Sequence, residues 1–425
     1  METVTVVGLG KIGLPLAAVI ANSGYFNVIG ADRNEKVVET ANKGISHIQN
    51  EPGLEELLYN AWKTGTFRAT TDTAKAVSQS DVVVVIVPVL VKEDGKINYE
   101  FIDAAVEDIG KGIRKGTLVI FETTLPAGDT RNRFGKRIEE ISGLQLGTDF
   151  HLGYSPERVY SNRIIQDLSN YPKIVSGDNE KSLELVKSFY KRALNCDILP
   201  VSNLETAEFT KVAESVYRDV NIALANELAV FADSLGVNMK EVIHAANSQP
   251  FSHLHYPGVG VGGHCIPVYP YFFINKGLKK GLVHLSREVN DHMAKYAVDQ
   301  VERILGSLQD QNILILGLSF RENVKETTKS SALLLADKLK QRGAIVYVDD
   351  PLYSSEEIAA FQVLPYSEAI REKIDAIILQ AFHDQYKNFP FDHFPNCRMV
   401  LDGRNQLDKK KIEDLGMKYR GIGVQ

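Results

Sequence analysis

The apolar run Val4-Thr5-Val6-Val7 leads straight into Gly8-Leu9-Gly10-Lys11-Ile12-Gly13, and the next apolar run, residues 27–31, ends at Asp32. Glycines at this spacing leave few backbones open: a strand, a tight turn and the first turn of a helix. Gly8 permits the turn, Gly10 lets a phosphate approach the main chain, and Gly13 lets the helix pack on the strand. Helix N-terminal N–H groups favour a pyrophosphate, and a carboxylate about twenty positions later suits ribose hydroxyls. The reading is a dinucleotide site, with Lys11 and Ile12 in the loop and Arg33 beside the carboxylate. An acid at position 32 repels a ribose phosphate, so NAD is expected rather than NADP.

Strand-like runs at 3–7, 27–31, 82–87, 117–121 and 174–175 alternate with helical patterns such as 14–23 and 101–113, the signature of a parallel sheet covered by helices on both faces. The texture changes at Ser202-Asn203-Leu204-Glu205, which reads as a capping box, and helical periodicity then runs without Gly or Pro to Gly236. At 1.5 Å per residue that helix spans about 50 Å. Further helical segments reach residue 305. A second alternation follows, with strands at 312–316, 345–348, 376–379 and 399–401 and a helix over 330–342. Gly317-Leu318-Ser319 echoes Gly8-Leu9-Gly10 without completing the fingerprint. The expected fold is α/β: two Rossmann-like doubly wound domains, 1–201 and 309–425, joined by a central helical domain, 202–308, whose long helix is a candidate homodimer interface.

Composition narrows the function classes. The 48 basic and 54 acidic residues of this 425-residue chain give a formal charge of −6, which argues against a nucleic-acid partner. The basic clusters Lys279-Lys280 and Lys409-Lys410-Lys411 read as solvated surface. No apolar run approaches the roughly 20 residues of a membrane span. Glu2 and the glycines argue against a secretion signal in the apolar N-terminus. Cys196, Cys265 and Cys397 are odd in number and widely spaced, which fits a reducing, cytoplasmic setting without disulfides. His253 and His255 lack companion ligands, so no metal is expected.

One cysteine stands apart. Cys265 lies in Gly258-Val-Gly-Val-Gly-Gly-His-Cys-Ile-Pro267, where a thiol on a glycine-rich loop can reach a carbonyl and bond to it. A hydride acceptor and a nucleophile in one chain suggest an oxidation through an enzyme-bound acyl group. On the long helix, Lys211, Ser215 and Arg218 share one face at i, i+4 and i+7 with Asn221 on its margin, a pattern that periodicity alone reads as a solvated stripe.

Six motifs in order give these features a common frame: Gly8-Leu-Gly-Lys-Ile-Gly-Leu-Pro15, Thr123-Thr-Leu-Pro126, Ser155-Pro-Glu-Arg-Val159, Ala207-Glu-Phe-Thr-Lys211, Arg218-Asp-Val-Asn-Ile-Ala-Leu-Ala-Asn-Glu227 and Gly260-Val-Gly-Gly-His-Cys-Ile-Pro267. Together they resemble the UDP-glucose/UDP-N-acetylmannosamine dehydrogenase family over nearly the whole chain. His264 and the Arg-Asp-Val-Asn-Ile-Ala run look most like the branch acting on UDP-N-acetylhexosamines, UDP-N-acetylmannosamine above all. The resemblance implies NAD-dependent oxidation of a sugar C6 alcohol to a carboxylate through a cysteine thiohemiacetal and thioester.

By the same resemblance, Cys265 is the nucleophile, Lys211 assists proton transfer and stabilises the oxyanion, Glu157 attends the catalytic water, and Thr124 sits near nicotinamide and water. Arg158, Val159, Lys211, Ser215, Arg218, Gly262 and Arg404 are implied to contact substrate along with Glu157, and Arg321 to contact the nucleotide of the bound cofactor. Four positions depart from the family: Ser215 replaces an asparagine, Tyr269 an aspartate, and Phe251 and Thr328 arginines. They weaken the expectation about the sugar more than that about the reaction. The alternative substrates are UDP-N-acetylglucosamine and then UDP-glucose, and the competing expectations are a two-electron hydroxyacid or phosphosugar dehydrogenase that needs no nucleophile and a catalytically silent nucleotide-sugar sensor.

Overall fold

The computed structural model describes residues 1–92, 94–160, 162–278 and 280–424, so Lys279 of the first basic cluster lies outside the described residues. The chain divides into two compact units, one made of residues 1–214 and 271–276, the other of residues 215–270 and 277–425.

The first unit is built on an eight-stranded sheet in the order Ile198–Pro200, Lys173–Gly177, His151–Tyr154, Leu118–Phe121, Val82–Val85, Glu2–Val7, Phe26–Ala31, Phe67–Thr70. All neighbours are parallel except His151–Tyr154 and Lys173–Gly177. Val82–Val85 and Leu118–Phe121 are buried throughout because helices cover both faces, which is why they read as unbroken apolar runs rather than alternating ones. Strand order reverses between Glu2–Val7 and Val82–Val85, where such sheets open a crevice at their carboxyl ends. His151–Tyr154 and Phe67–Thr70, short and interrupted by His, Gly or Arg, carry too little pattern to stand out in the sequence.

The second unit holds a six-stranded, fully parallel sheet ordered Leu364–Pro365, Ile345–Asp349, Asn312–Leu316, Ala376–Leu379, Met399–Asp402, Lys418–Gly421. In chain order these strands run 3-2-1-4-5-6, the doubly wound arrangement. Helix Leu282–Leu305 buries Met293, Ala297 and Val301 in a core shared with Ile313, Ile315, Leu335 and Leu401.

The long helix spans Leu204–Leu235, and its terminal leucine directly precedes Gly236, as periodicity required. Its start differs from expectation. Ser202 does not cap it; Asn203 does, its Oδ1 accepting the Thr206 N–H at 2.7 Å. The helix begins one residue later than the capping box implied, and Glu205 turns outward to pair with Arg131 at 2.8 Å. Four polar residues of this helix, Glu208, Ser215, Asp219 and Asn226, are buried. Ser215 therefore does not belong to a solvated stripe.

Among the described residues no helix is long and apolar enough to cross a membrane.

Candidate active site

In the first unit the glycine loop is dictated by crowding at two positions and by open space at the third. Gly8 has φ +95°, and a Cβ there would strike the Ile86 carbonyl oxygen; a Cβ on Gly13 would strike the carbonyl oxygen of Gly8. A Cβ on Gly10 would meet nothing within 4 Å. The outer glycines are thus demanded by the protein's own packing, and the middle one faces room for a ligand. Helix Gly13–Ala21 starts at Ile12 without a side-chain cap, which leaves its first N–H groups for an anion.

Asp32 is fixed by its own surroundings: Oδ2 accepts the Leu9 N–H at 2.8 Å and Oδ1 that of Asn34 at 2.9 Å. Arg33 lies over the Phe101 ring, 4.4 Å from its centroid. Lys11 is exposed on the loop. This arrangement fits a dinucleotide pyrophosphate and ribose. Thr123 and Thr124 are buried just past Leu118–Phe121, with Thr123 Oγ1 donating to the Val87 carbonyl at 2.8 Å.

Glu157 belongs to a buried ionic cluster that the motifs did not reveal. Lys173 Nζ lies 2.6 Å from Glu157 Oε2 and 2.9 Å from Glu122 Oε2, and the Tyr190 hydroxyl donates to the other Glu122 oxygen. Glu157 Oε1 also accepts the N–H groups of Arg158 at 2.7 Å and Val159 at 3.1 Å. Burial pushes the Glu157 carboxyl up, but the Lys173 ammonium and the hydrogen bonds outweigh it and hold it below the usual range. Burial carries Glu122 the other way, up to about 7. Burial also opposes the charge on Lys173, yet the two carboxylates prevail and its ammonium is held above its ordinary value. Arg158 pairs with Glu214 at 3.1 Å and donates to the Pro172 carbonyl. The only sequence signal for the cluster was an acid closing the apolar run 118–121 and a lysine opening the run at 174–175.

Glu208, inside a quoted motif but without an expected role, accepts the Gly128 N–H at 2.5 Å and the Thr130 N–H at 2.8 Å. It therefore anchors the turn that follows Thr123-Thr-Leu-Pro126. Glu208→Ala strands two buried N–H donors and is expected to destabilise the protein by about 2–4 kcal/mol, at roughly 1–2 for each. Urea unfolding monitored by circular dichroism measures it; an unchanged midpoint would show that the turn finds other acceptors.

The second unit explains the glycines around Cys265. Gly260 has φ +147°, and its Cβ would lie 2.7 Å from Ser331 Oγ; a Cβ on Gly262 would lie 2.6 Å from Phe320 Cβ and 2.9 Å from the Lys329 oxygen. Gly263, at φ +93°, donates its N–H to the Thr328 carbonyl at 2.8 Å. The loop is pressed backbone to backbone against residues 320–331, and side chains would hold it off. Thr328 serves through its main chain, so its loss of the expected arginine does not disturb this contact. Phe251, another departure, stands 91% exposed.

A buried polar chain fixes the start of the loop. Arg287 pairs with Asp219, Asn290 Nδ2 donates to Asp219 at 2.8 Å, Asn226 Nδ2 donates to Asn290 Oδ1 at 2.9 Å, and Asn226 Oδ1 accepts the Gly258 N–H at 2.9 Å. Arg404 donates to the Gln380 carbonyl and, at 3.2 Å, to that of Phe320. Among the described residues, the buried side-chain atoms Gln380 Oε1 and Nε2, Arg321 Nε and Ser331 Oγ have no hydrogen-bond partner. Gln380 follows strand Ala376–Leu379 and Arg321 lies in the loop after Asn312–Leu316, the two strands between which order reverses. Unsatisfied polar groups at a switch point are the chemistry of a nucleotide subsite.

The echo of the glycine fingerprint has a different use. Asp350, which ends the second strand's turn as Asp32 does in the first unit, accepts the N–H groups of Leu318 and Ser319 at 2.8 Å each and faces His383 Nε2 at 3.1 Å. Its carboxylate is consumed by the loop.

The structure thus gathers Gly8, Gly10, Lys11, Ile12, Gly13, Asp32 and Arg33 into one loop cluster, with Glu157, Arg158 and Val159 joined around Lys173 and Thr124 in the same unit. Gly262, Cys265, Arg321 and Arg404 lie in the other. Lys211 in the first unit, and Ser215 and Arg218 in the second, are carried by one helix.

Comparison with known proteins gives a coherent result. The NAD binding domain of the UDP-glucose/GDP-mannose dehydrogenase family matches residues 2–194, its central domain residues 205–292 and its UDP binding domain residues 314–409. A UDP-N-acetyl-D-mannosamine dehydrogenase from Pyrococcus horikoshii is 31% identical over 99% of both chains. An NDP-N-acetyl-D-galactosaminuronic acid dehydrogenase from Ralstonia nicotianae is 32% identical over 97% of both. The solved structure of a UDP-D-ManNAc dehydrogenase from Pyrococcus horikoshii superposes with a TM-score of 0.88 at 30% identity, covering 99% of each chain. The chain belongs to the UDP-glucose/GDP-mannose dehydrogenase family and is an NAD-dependent nucleotide-sugar dehydrogenase.

Proposed function

We propose that this protein oxidises the C6 hydroxyl of UDP-N-acetyl-D-mannosamine to the carboxylate, a four-electron reaction passing through a thioester on Cys265. The observation that carries the proposal is the thiol itself, set on a loop whose glycines are required by contact with residues 320–331, in the same unit as the orphaned polar groups of Gln380 and Arg321. The name of the Pyrococcus horikoshii relative supports the choice of sugar. We read residues 1–201 as the NAD-binding domain, 202–308 as the central helical domain and 309–425 as the UDP-sugar domain.

Gly8, Gly10, Lys11, Ile12 and Gly13 cradle the cofactor diphosphate, Asp32 takes the ribose hydroxyls with Arg33 alongside, and Thr124 borders the nicotinamide. When bound there, NAD would supply the hydride acceptor for both oxidations. Arg321 and Arg404 meet nucleotide phosphate, while Arg158, Val159, Ser215, Arg218 and Gly262 orient the sugar. The Cys265 sulfur donates a lone pair to the aldehyde carbon as the carbonyl π pair moves to oxygen, where Lys211 stabilises the charge. After the second oxidation Glu157 holds the water that attacks the thioester, and the C–S pair returns to sulfur. Overall, one alcohol, two NAD+ and one water give one carboxylate, two NADH and three protons.

The test is NADH formed per molecule of limiting sugar, with UDP-N-acetylmannosamine, UDP-N-acetylglucosamine, UDP-N-acetylgalactosamine and UDP-glucose in separate assays. About two NADH with UDP-N-acetylmannosamine and far slower turnover of the others is the expected result. One NADH per sugar would sink the four-electron reading, and preference for another sugar would move the substrate assignment alone.

Tyr217, Leu224, Phe231 and Leu235 are exposed along the long helix, and we assign them to a homodimer interface. Sedimentation should give a mass of at least two 47.2-kDa chains; a monomer would remove the assignment.

A further inference from the structure

Tyr269 stands where the family pattern leads one to expect an aspartate, and the surroundings of Cys265 supply a different set of partners. The Cys265 thiol donates to the Tyr269 hydroxyl at a sulfur-to-oxygen distance of 3.8 Å. Next to it in the chain is His264, whose Nδ1 lies 3.1 Å from Glu326 Oε1. Glu326 is held in turn, its N–H donating to the Val324 carbonyl at 2.9 Å and its carbonyl accepting the Phe320 N–H at 2.9 Å. The same segment, residues 320–331, receives the glycine loop. Backbone contacts that fix the loop therefore also fix the distance between imidazole and carboxylate.

We infer that Glu326 keeps His264 as an imidazolium and that this imidazolium, with the Tyr269 hydroxyl, holds Cys265 as a thiolate in place of an aspartate-supported arrangement. The inference rests on the reading of Cys265 as the nucleophile.

Hydrogen bonding to Cys265 and then to Glu326 raises the His264 value to about 10, on a side chain that stands 55% exposed. The ring is then charged across the neutral range. A cation beside a thiol lowers the thiol's pKa by Coulomb attraction. Among the described residues, the titratable groups facing the pair include Cys265 and Tyr269 on the loop and Glu326 opposite, with Tyr353 near the Glu326 carboxylate.

The pair matters at two moments. When sulfur attacks, its lone pair forms the C–S bond while the C=O π pair moves to oxygen, so the thiolate must exist beforehand. When water's oxygen bonds to the thioester carbon, the C–S pair returns to sulfur, and the imidazolium stabilises the departing thiolate without giving up its proton. His264 adjoins Cys265 in the chain and acts on its sulfur through charge; Glu326 is a positioning residue that acts through His264.

The experiment is the rate of iodoacetamide alkylation at Cys265 against pH in the full chain, followed by mass spectrometry of the Cys265 peptide so that Cys196 and Cys397 do not interfere. The wild-type profile should have its midpoint below pH ~7.5, the upper end for thiols beside a cation. Glu326→Gln removes one of the two groups that raise the imidazole, and a rise of about one unit in the thiol pKa lowers the rate at pH 7.5 by up to about tenfold while the high-pH plateau stays unchanged. His264→Gln should do at least as much, and Tyr269→Phe less. The unchanged plateau reports a folded loop in each variant. Coincident profiles for wild type, Glu326→Gln and His264→Gln would overturn the inference. Alkylation needs no turnover, so a shifted profile in an enzyme yielding one NADH per sugar would leave the thiolate pairing standing and remove only the four-electron reading.

Discussion

Cys265→Ala should lower the rate of acid formation by at least about three orders of magnitude, the scale on which loss of a covalent nucleophile is felt, while fold and NAD binding survive. Cys265 is half-buried on a loop, so its truncation falls in the range of ordinary loop substitutions, within about 1 kcal/mol. The first hydride leaves an alcohol carbon and needs no sulfur. The second must leave a tetrahedral carbon bearing an oxyanion, and without the thiol only the aldehyde hydrate offers one. The variant should therefore yield at most one NADH per sugar on the timescale in which wild type yields two, with aldehyde trapped by hydroxylamine. One NADH per sugar, formed at equal rates by wild type and variant, would favour a two-electron dehydrogenase.

The largest stability effect is expected from Lys173→Met, which leaves the Glu122 and Glu157 carboxylates buried together without their shared ammonium. Removing one partner of a buried ion pair costs about 3–5 kcal/mol. The loss depends on pH in a definite direction. In wild type, Glu157 is held below its ordinary value and contributes stability above the ordinary carboxylate range, which disappears as the pH falls through its folded value. Glu122, raised to about 7, binds a proton more tightly in the folded state and costs stability as the pH rises from the ordinary range through 7. Without Lys173 both folded values rise above those of the unfolded chain. The variant should then be weakest above pH 7 and recover as the pH falls toward the ordinary carboxylate range.

Urea titrations of wild type and Lys173→Met at pH 5.5 and 8 measure the difference. Glu122→Gln in the Lys173→Met background removes one of the stranded charges and should restore part of the loss. A destabilisation independent of pH would show that lost packing, rather than uncompensated charge, is responsible. The cluster also bears on chemistry, because Lys173 and the Arg158 and Val159 N–H groups together set the direction of the Glu157 carboxylate.

The alternating apolar runs sufficed for two doubly wound sheets because strands buried on both faces must be apolar without interruption, and parallel pairing must be bridged by helices. The glycine fingerprint was equally informative, since Gly8 and Gly13 answer to contacts with residues close in the chain or one strand away. The long helix ended where Gly236 required it. Its first turn was misplaced by a residue because Ser202 and Asn203 are both competent caps, and only the backbone path selects Asn203. What the sequence left out were contacts between distant segments. Glu122, Lys173 and Tyr190 carry no motif as a group, and their partnership exists only because sheet order sets Leu118–Phe121, His151–Tyr154 and Lys173–Gly177 side by side. The glycines before Cys265 were legible as a glycine-rich loop, but the reason for them is residues 320–331, roughly sixty to seventy positions later. Local spacing determines which elements form and where backbone must be bare. Charge pairing, burial of polar groups and the partners of the thiol depend on which strands become neighbours, and that was decided by tertiary packing.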